Sequence, residues 1–210
     1  MFSRFIPEAE VFVHDHAPTS VWALLREKPV LALFAACFLM SAAHGPYYSF
    51  YSIYLGDHGY TASEIGWLWA LGVISEIGVF LFMPRLFKRF RLEAILISSF
   101  VLTILRFLLI AWGIRYPLLI LLAQLLHAAS FGAYHAAAVA MINRLFHGRN
   151  QARGQGLYNS ISFGAGGALG SLYAGKTWDW LGPSWTFSIA ASCALLALLL
   201  MWRAGFARQK

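Results

Sequence analysis

Charge is what this sequence has least of. Only 12% of its 210 residues are charged, about half the share of a soluble domain. A solvated exterior cannot be built from so few charges, so an ordinary soluble fold is excluded. Cysteine is nearly absent as well: Cys37 and Cys193 both fall inside apolar runs. With no CxxC pair and no His/Cys cluster, neither a disulfide framework nor a metal site is expected. A nucleophile elbow, a phosphate loop and a zinc-protease motif are also missing, so nothing points to an enzyme or to a cofactor. Residues 1–28 contain Glu8, Glu10, Asp15 and Glu27 and lack a compact apolar core. They do not read as a cleavable signal peptide, and insertion through the first apolar segment is expected.

What is present in quantity is apolar: 60% of the chain. Six segments stand out, at about Pro29–Tyr54, Ile65–Met83, Ala94–Trp112, Pro117–Ile142, Gly156–Ala174 and Pro183–Trp202. Each approaches the roughly 20 residues that carry a helix across a bilayer. None alternates apolar and polar residues as the strands of an outer-membrane barrel do. The fold expected is an all-α membrane protein with a six-helix transmembrane domain over residues 29–203. A tail or linker precedes it at 1–28, with a short amphipathic piece near Val21–Leu25, and a short tail follows at 204–210. The tail's His14 and His16 form an H-x-H pair. Without further ligands nearby they read as solvated linker residues rather than a metal site.

A net charge of +7 invites a nucleic-acid reading, but its distribution argues against one. Six crossings put both termini on one side. That side holds Arg4, Arg26, Lys28, the Arg85–Arg91 cluster, Arg144, Arg149, Arg153, Arg203, Arg208 and Lys210, thirteen of the 16 basic residues. Arg115 and Lys176 lie opposite, and Arg106 falls within the third segment. The basic side is expected to be cytoplasmic, with both termini inside. Topology thus accounts for the charge, and no nucleic-acid partner is expected.

Several polar side chains lie inside apolar segments. Glu76 is twelve residues after Glu64, about 18 Å along a helix and so near the bilayer midplane. A carboxylate there costs at least about 2.5–3.5 kcal/mol and is expected to face a cavity or a partner. Burial and a nearby cation move a carboxyl group's proton affinity in opposite directions. A group balanced between them can take up and release a proton, which makes Glu76 the proton-coupling candidate; a static ion pair with Arg106 is the alternative. Arg106 is about 9 Å inside its segment. Its fork of donors could hold an anionic substrate or Glu76, or it could snorkel to the headgroups.

His44 precedes Gly45-Pro46, where a kink is expected. His127 lies near the midplane, and His127, Phe131 and His135 form one slowly drifting stripe. Each histidine fits a structural hydrogen bond as well as ligand contact; His44, Glu76 and His127 at similar depth on three segments favour a site. Tyr47, Tyr51 and Tyr54 share a face. They could stack on an aromatic ligand, though an outer aromatic belt is the favoured reading. Gln124, Asn143, Asn159 and Ser162 are further polar candidates that the sequence does not rank. Gly166 and Gly170, with Gly167 and Ser171 beside them, read as a close-packing face.

Several motifs in order resemble the C-terminal half of a major facilitator superfamily transporter. They are Pro84-Arg85-Leu-Phe-Lys88-Arg89-Phe-Arg91 between segments two and three, Phe163-Gly-Ala-Gly-Gly-Ala-Leu-Gly170 in segment five, and Gly175-Lys-Thr-Trp-Asp179-Trp-Leu-Gly182-Pro183 before segment six. Ala43-His44-Gly45-Pro46-Tyr47-Tyr48, Asp57-His58-Gly59-Tyr60, Leu68-Trp69-Ala70-Leu71-Gly72-Val73, Glu76-Ile77-Gly78 and His127-Ala-Ala-Ser-Phe131-Gly132 are similar to the phenylpropionate-permease-like family, within the lactose-permease and nucleoside-symporter group. The resemblance, over about residues 20–203, implies a multi-pass protein of the bacterial inner membrane that imports a small organic substrate with protons, an aromatic carboxylate being one candidate. The substrate-contact candidates read from the residues themselves are His44, Arg106, His127, Tyr47, Tyr51, Phe131 and His135. The Glu76 and Arg106 placement is similar to the acid–arginine arrangement of sugar–proton symporters. The N-terminal half of that fold has no counterpart here, so a six-helix partner or a second copy is implied. The alternative is a non-transporting membrane interaction protein, or a gene fragment, with the same packing.

Overall fold

A computed structural model describes residues 20–206 of the chain. The H-x-H pair, Arg4, Arg208 and Lys210 lie outside the described residues. Within them the elements are helical. A single short helix α1 (Val21–Leu25) leads into α2 (Lys28–Asp57), α3 (Ala62–Arg89) and α4 (Leu92–Gly113). Next, α5 (Pro117–His127) runs through a π-helical segment, Ala128–Ala133, into α6 (Tyr134–Leu145). After a 3-10 turn at Gly148–Asn150, α7 (Gln151–Asn159) runs through a second π-helical segment, Ser160–Gly166, into α8 (Gly167–Leu181). The last helix is α9 (Pro183–Arg203).

Local chemistry explains most of the ends. Pro29, Pro117 and Pro183 occupy first-turn positions of α2, α5 and α9, where a missing N–H costs nothing and φ is already helical. Gly182, at φ 83°, makes the turn between α8 and α9, a backbone angle that only glycine adopts freely. Thr61 and Glu64 form a reciprocal capping box on α3: the Thr61 N–H donates to the Glu64 carboxylate at 2.7 Å and the Glu64 N–H to the Thr61 hydroxyl at 3.3 Å.

Neither internal proline ends its helix. α2 stays helical through Gly45-Pro46, and α3 continues past Pro84 to Arg89. A proline removes one donor, and inside a membrane the freed groups are tolerated where neighbouring helices cover them. Gly45 is covered in this way: a Cβ there would fall on the backbone of Gly170.

Five helical stretches are long and apolar enough to cross a membrane: Lys28–Asp57, Ala62–Arg89, Leu92–Gly113, Pro117–Leu145 and Pro183–Arg203. The fifth expected segment is helical, within 151–181, but is not among them. Its glycines and serines hold its hydropathy down.

α2 is the central element, packed on α9 and α8, while α4 packs on α9 and α5. One core cluster joins Leu33, Phe34, Phe100, Tyr134 and Phe146 near the Arg144 end. Another joins Tyr47, Tyr51, Tyr54, Phe107 and Phe187 toward the opposite end. There the Tyr54 hydroxyl donates to the Ala111 carbonyl at 3.0 Å and the Tyr60 hydroxyl to the Ile114 carbonyl at 2.9 Å. Arg144 meets the buried Glu93, which also lies 3.6 Å from Arg91. The basic residues of the α3–α4 connection and of α6 thus share one end of the bundle.

α3 differs from the rest. Only 11% of its apolar window is buried, against 67% for α2. It lays one narrow face on the segment Ala128–Ala133 and on α5, and that face carries Glu76.

Candidate functional site

The site forms where α3 touches the helix that carries His127. Two small residues set the approach. A Cβ on Gly72 would sit 3.4 Å from the His127 ring, and one on Gly132 would sit 3.6 Å from Cγ of Glu76. The Glu76 carboxylate reaches Nε2 of His127 at 2.8 Å. His127 is buried, and its Nδ1 has no hydrogen-bond partner.

Arg106 takes neither of the two structural positions its sequence context offered, a pair with Glu76 or a snorkel to the headgroups. It is fully buried, so it does not snorkel to the surface. Nor is it among the ion pairs of the described residues. Its guanidinium lies 4.0 Å from the centre of the Tyr47 ring and 5.3 Å from that of Phe107. Nε donates to the Ala123 carbonyl at 3.0 Å, and both terminal nitrogens lack a partner. A desolvated cation over a tyrosine face gains about 2 kcal/mol or more, and its terminal nitrogens keep unused donors. The Tyr47 hydroxyl donates to Oε1 of Gln124 at 3.0 Å. Gln124 is therefore part of the cluster, and its position three residues before His127 puts both on one helical face.

The tyrosines correct the expectation of an aromatic belt. Tyr47, Tyr51 and Tyr54 are 0–2% exposed and line the bundle interior. Tyr47 packs on Tyr51 at 4.9 Å and on Trp69 at 4.7 Å between ring centres. A count from the helix end fixes depth, not direction, and α2 turns this face inward because helices surround it. The spacing of Trp69 carries no signal in the sequence apart from the motif that contains it.

The histidine stripe is real. Phe131 stacks on His127 at 5.4 Å and on His135 at 6.2 Å, nearly parallel to both. His135 pairs through Nδ1 with the Tyr158 hydroxyl at 3.0 Å. His44 is buried, and its ring centre is 6.2 Å from that of His127 and 5.6 Å from that of Phe131. The structure therefore brings His44, Tyr47, Glu76, Arg106, His127 and Phe131 together, with Tyr51 behind Tyr47 and His135 further along the stripe. Asn143 stays apart, bonded to Gln155 at 2.8 Å. Among the described residues no group of three metal-ligating side chains occurs.

The family model described as "MFS_1 like family" matches residues 3–189. The chain belongs to that family. Its relatives are major facilitator superfamily transporters, not enzymes. A protein of Escherichia coli (strain K12) named a probable 3-phenylpropionic acid transporter is 32% identical over 181 residues, 86% of this chain and 47% of the relative. A second E. coli K12 protein, named as a nucleoside transporter, is 31% identical over 198 residues, 85% of this chain and 45% of the relative. E. coli xanthosine permease is 25% identical over 116 residues, 54% of this chain and 28% of the relative. The chain thus spans about half the length of the curated relatives it matches most fully. No solved structure matches it significantly. The family and the apolar helices make this a multi-pass membrane protein with an all-α major facilitator half-bundle.

Proposed function

We propose that residues 29–203 act as the C-terminal six-helix half of a proton-coupled symporter in the bacterial inner membrane. Both termini are cytoplasmic in this reading, by the excess of basic residues at the Arg144 end. The stretch 151–181 makes the sixth crossing. The substrate is a small aromatic carboxylate such as 3-phenylpropionate.

One observation carries the proposal: a carboxylate midway along α3 sits 2.8 Å from an imidazole, beside a fully buried arginine whose terminal nitrogens are unpaired. A proton on Glu76 and a carboxylate near Arg106 are then the natural co-substrates. Each changes the charge that the other meets, and such mutual dependence gives the differential stabilisation a symporter needs. Transport by rocking two halves about a midplane site requires a second half. A six-helix N-terminal half or a second copy of this chain would supply it. The exposed face of α3 suits such a neighbour. The competing reading, a membrane protein whose charges only hold helices together, draws on the Nε–Ala123 bond and the Tyr47 stacking.

Uptake of labelled 3-phenylpropionate into proteoliposomes distinguishes the two. The chain should be inactive alone. Combined with the N-terminal half of the E. coli 3-phenylpropionic acid transporter, it should give saturable uptake that needs a pH gradient. Saturable uptake by the chain alone would mean a working homodimer, and none in either case would favour the packing role.

A further inference from the structure

A cavity of about 210 Å³ lies beside the charged cluster, between α2 and the two π-helical segments. Met40, His44, Phe131, Tyr134, Ser162 and Phe163 line most of it. Phe131 and Phe163 stand on the two π-helical segments, a feature that recurs at functional sites. The rings of His44, Tyr48, Phe131, Tyr134 and Phe163 form part of the wall, and serine, glycine and Met40 form the rest. A dry apolar cavity of about 150 Å³ holds benzene, so one ring with a substituent fits here.

Two lining atoms are buried and have no hydrogen-bond partner: Nε2 of His44 and Oγ of Ser162. Their residues are 2% and 1% exposed. The role of each follows from its surroundings. Nδ1 of His44 is 2.8 Å from the Met40 carbonyl. A carbonyl only accepts, so Nδ1 carries the hydrogen, and Nε2 of the neutral ring is an acceptor. The Ser162 hydroxyl can donate. The Tyr134 hydroxyl, by contrast, is already engaged with the Cys37 carbonyl at 3.5 Å. Among the buried atoms of its lining, the cavity therefore has one acceptor and one donor without a partner; the less buried hydroxyls of Ser41, Tyr48 and Ser171 also line it. A hydroxyl on an aromatic ring answers both, donating to His44 and accepting from Ser162. A bare ring leaves both polar atoms unpaired, and buried unpaired groups are costly.

We propose that this cavity is a binding site for a neutral aromatic ring bearing a hydroxyl. Its place in transport rests on the reading above and adds a preference for a ring hydroxyl among aromatic carboxylates, with the carboxylate toward Arg106. Binding in the cavity is tested without transport.

The full chain in lipid nanodiscs is titrated with para-fluorophenol and with fluorobenzene, followed by fluorine NMR, with empty nanodiscs subtracted. The phenol should bind at least about fivefold more tightly, the worth of one net hydrogen bond. Ser162→Ala is a small change that the bundle should tolerate, checked by its thermal midpoint. It should reduce the preference about fivefold. His44→Phe keeps a ring, removes the acceptor and should weaken the phenol in the same way. Equal affinity for the two probes, no protein-specific binding of either, or an unaltered preference in Ser162→Ala would overturn the proposal. Those results would leave the Glu76–His127 reading standing. Failed uptake with normal phenol binding would do the reverse.

Discussion

Glu76 and His127 meet at 2.8 Å across the contact between α3 and the helix of α5. Arg106, which sequence alone offers as the partner of Glu76, lies over Tyr47 instead. The carboxylate thus has an imidazole as its nearest base, and the arginine keeps its two terminal nitrogens without a partner. That separation of acid and cation gives each a distinct expected role.

Glu76→Gln keeps the side chain's size and removes its titration. In the two-half assembly it should abolish accumulation driven by a pH gradient. Exchange of labelled substrate across a preloaded membrane should remain measurable. Accumulation against a gradient by Glu76→Gln would move the coupling role to His127 or His44.

Orientation is tested by cysteine labelling. In a background with Cys37 and Cys193 replaced by serine, Asp57→Cys should react with an impermeant maleimide added outside intact cells. Lys88→Cys should react only after permeabilisation. Asp57 ends α2 and Lys88 lies in the last turn of α3, at opposite ends of a single hairpin. The reverse pattern would invert the topology and place the Arg144 end outside.

Sequence and structure agree where length and hydropathy decide. Five of the six expected segments recur as helices of spanning character, with ends shifted by a few residues. They disagree where direction around a helix decides. The depths of Glu76 and Arg106 could be counted from the segment ends, but which neighbour each faces depends on helix rotation. Tyr47 and Tyr51 mark this limit, since their spacing suits a belt as well as a buried face. The π-helical segments were equally hidden. Ala128-Ala-Ser-Phe131-Gly132-Ala and Ser160-Ile-Ser-Phe163-Gly-Ala-Gly166 are small-residue runs that any regular helix would accept. Phe131 and Phe163, one on each segment, meet at 6.4 Å between ring centres.

The contact between α2 and α8 should tolerate no added carbon. A Cβ on Gly170 would come within 2.5 Å of the Ala42 carbonyl oxygen, and one on Gly166 within 2.6 Å of the Phe38 carbonyl oxygen. Both obstacles are backbone, which cannot swing aside. Helix association in lipid rests on such close packing rather than on water exclusion. Gly170→Ala should therefore cost about 1–3 kcal/mol, the usual penalty for overpacking. A thermal melt of the purified protein measures this. Gly78→Ala, at a site with open space around it, serves as the control and should melt like the parent. A Gly170→Ala protein as stable as the parent would mean that α8 sits further from α2 than described.

Arg106 separates a binding role from a structural one. A fully buried cation with two unpaired nitrogens is a poor stabiliser, because its desolvation is only partly offset by the Tyr47 face and one backbone bond. Arg106→Gln removes that charge and keeps a polar side chain. If the arginine waits for a carboxylate, the variant should melt within a few degrees of the parent. Its affinity for 3-phenylpropionate in the assembled transporter should fall at least about tenfold, in line with the roughly 1.5–3 kcal/mol of a hydrogen bond to a charged group. Affinity for the corresponding neutral alcohol should change little. Arg106→Lys keeps the charge but loses the planar fork and should recover only part of the lost affinity. The opposite pattern, a large drop in melting temperature with unchanged carboxylate affinity, would make Arg106 a brace between α4 and α5. The carboxylate of the substrate would then have to be held elsewhere.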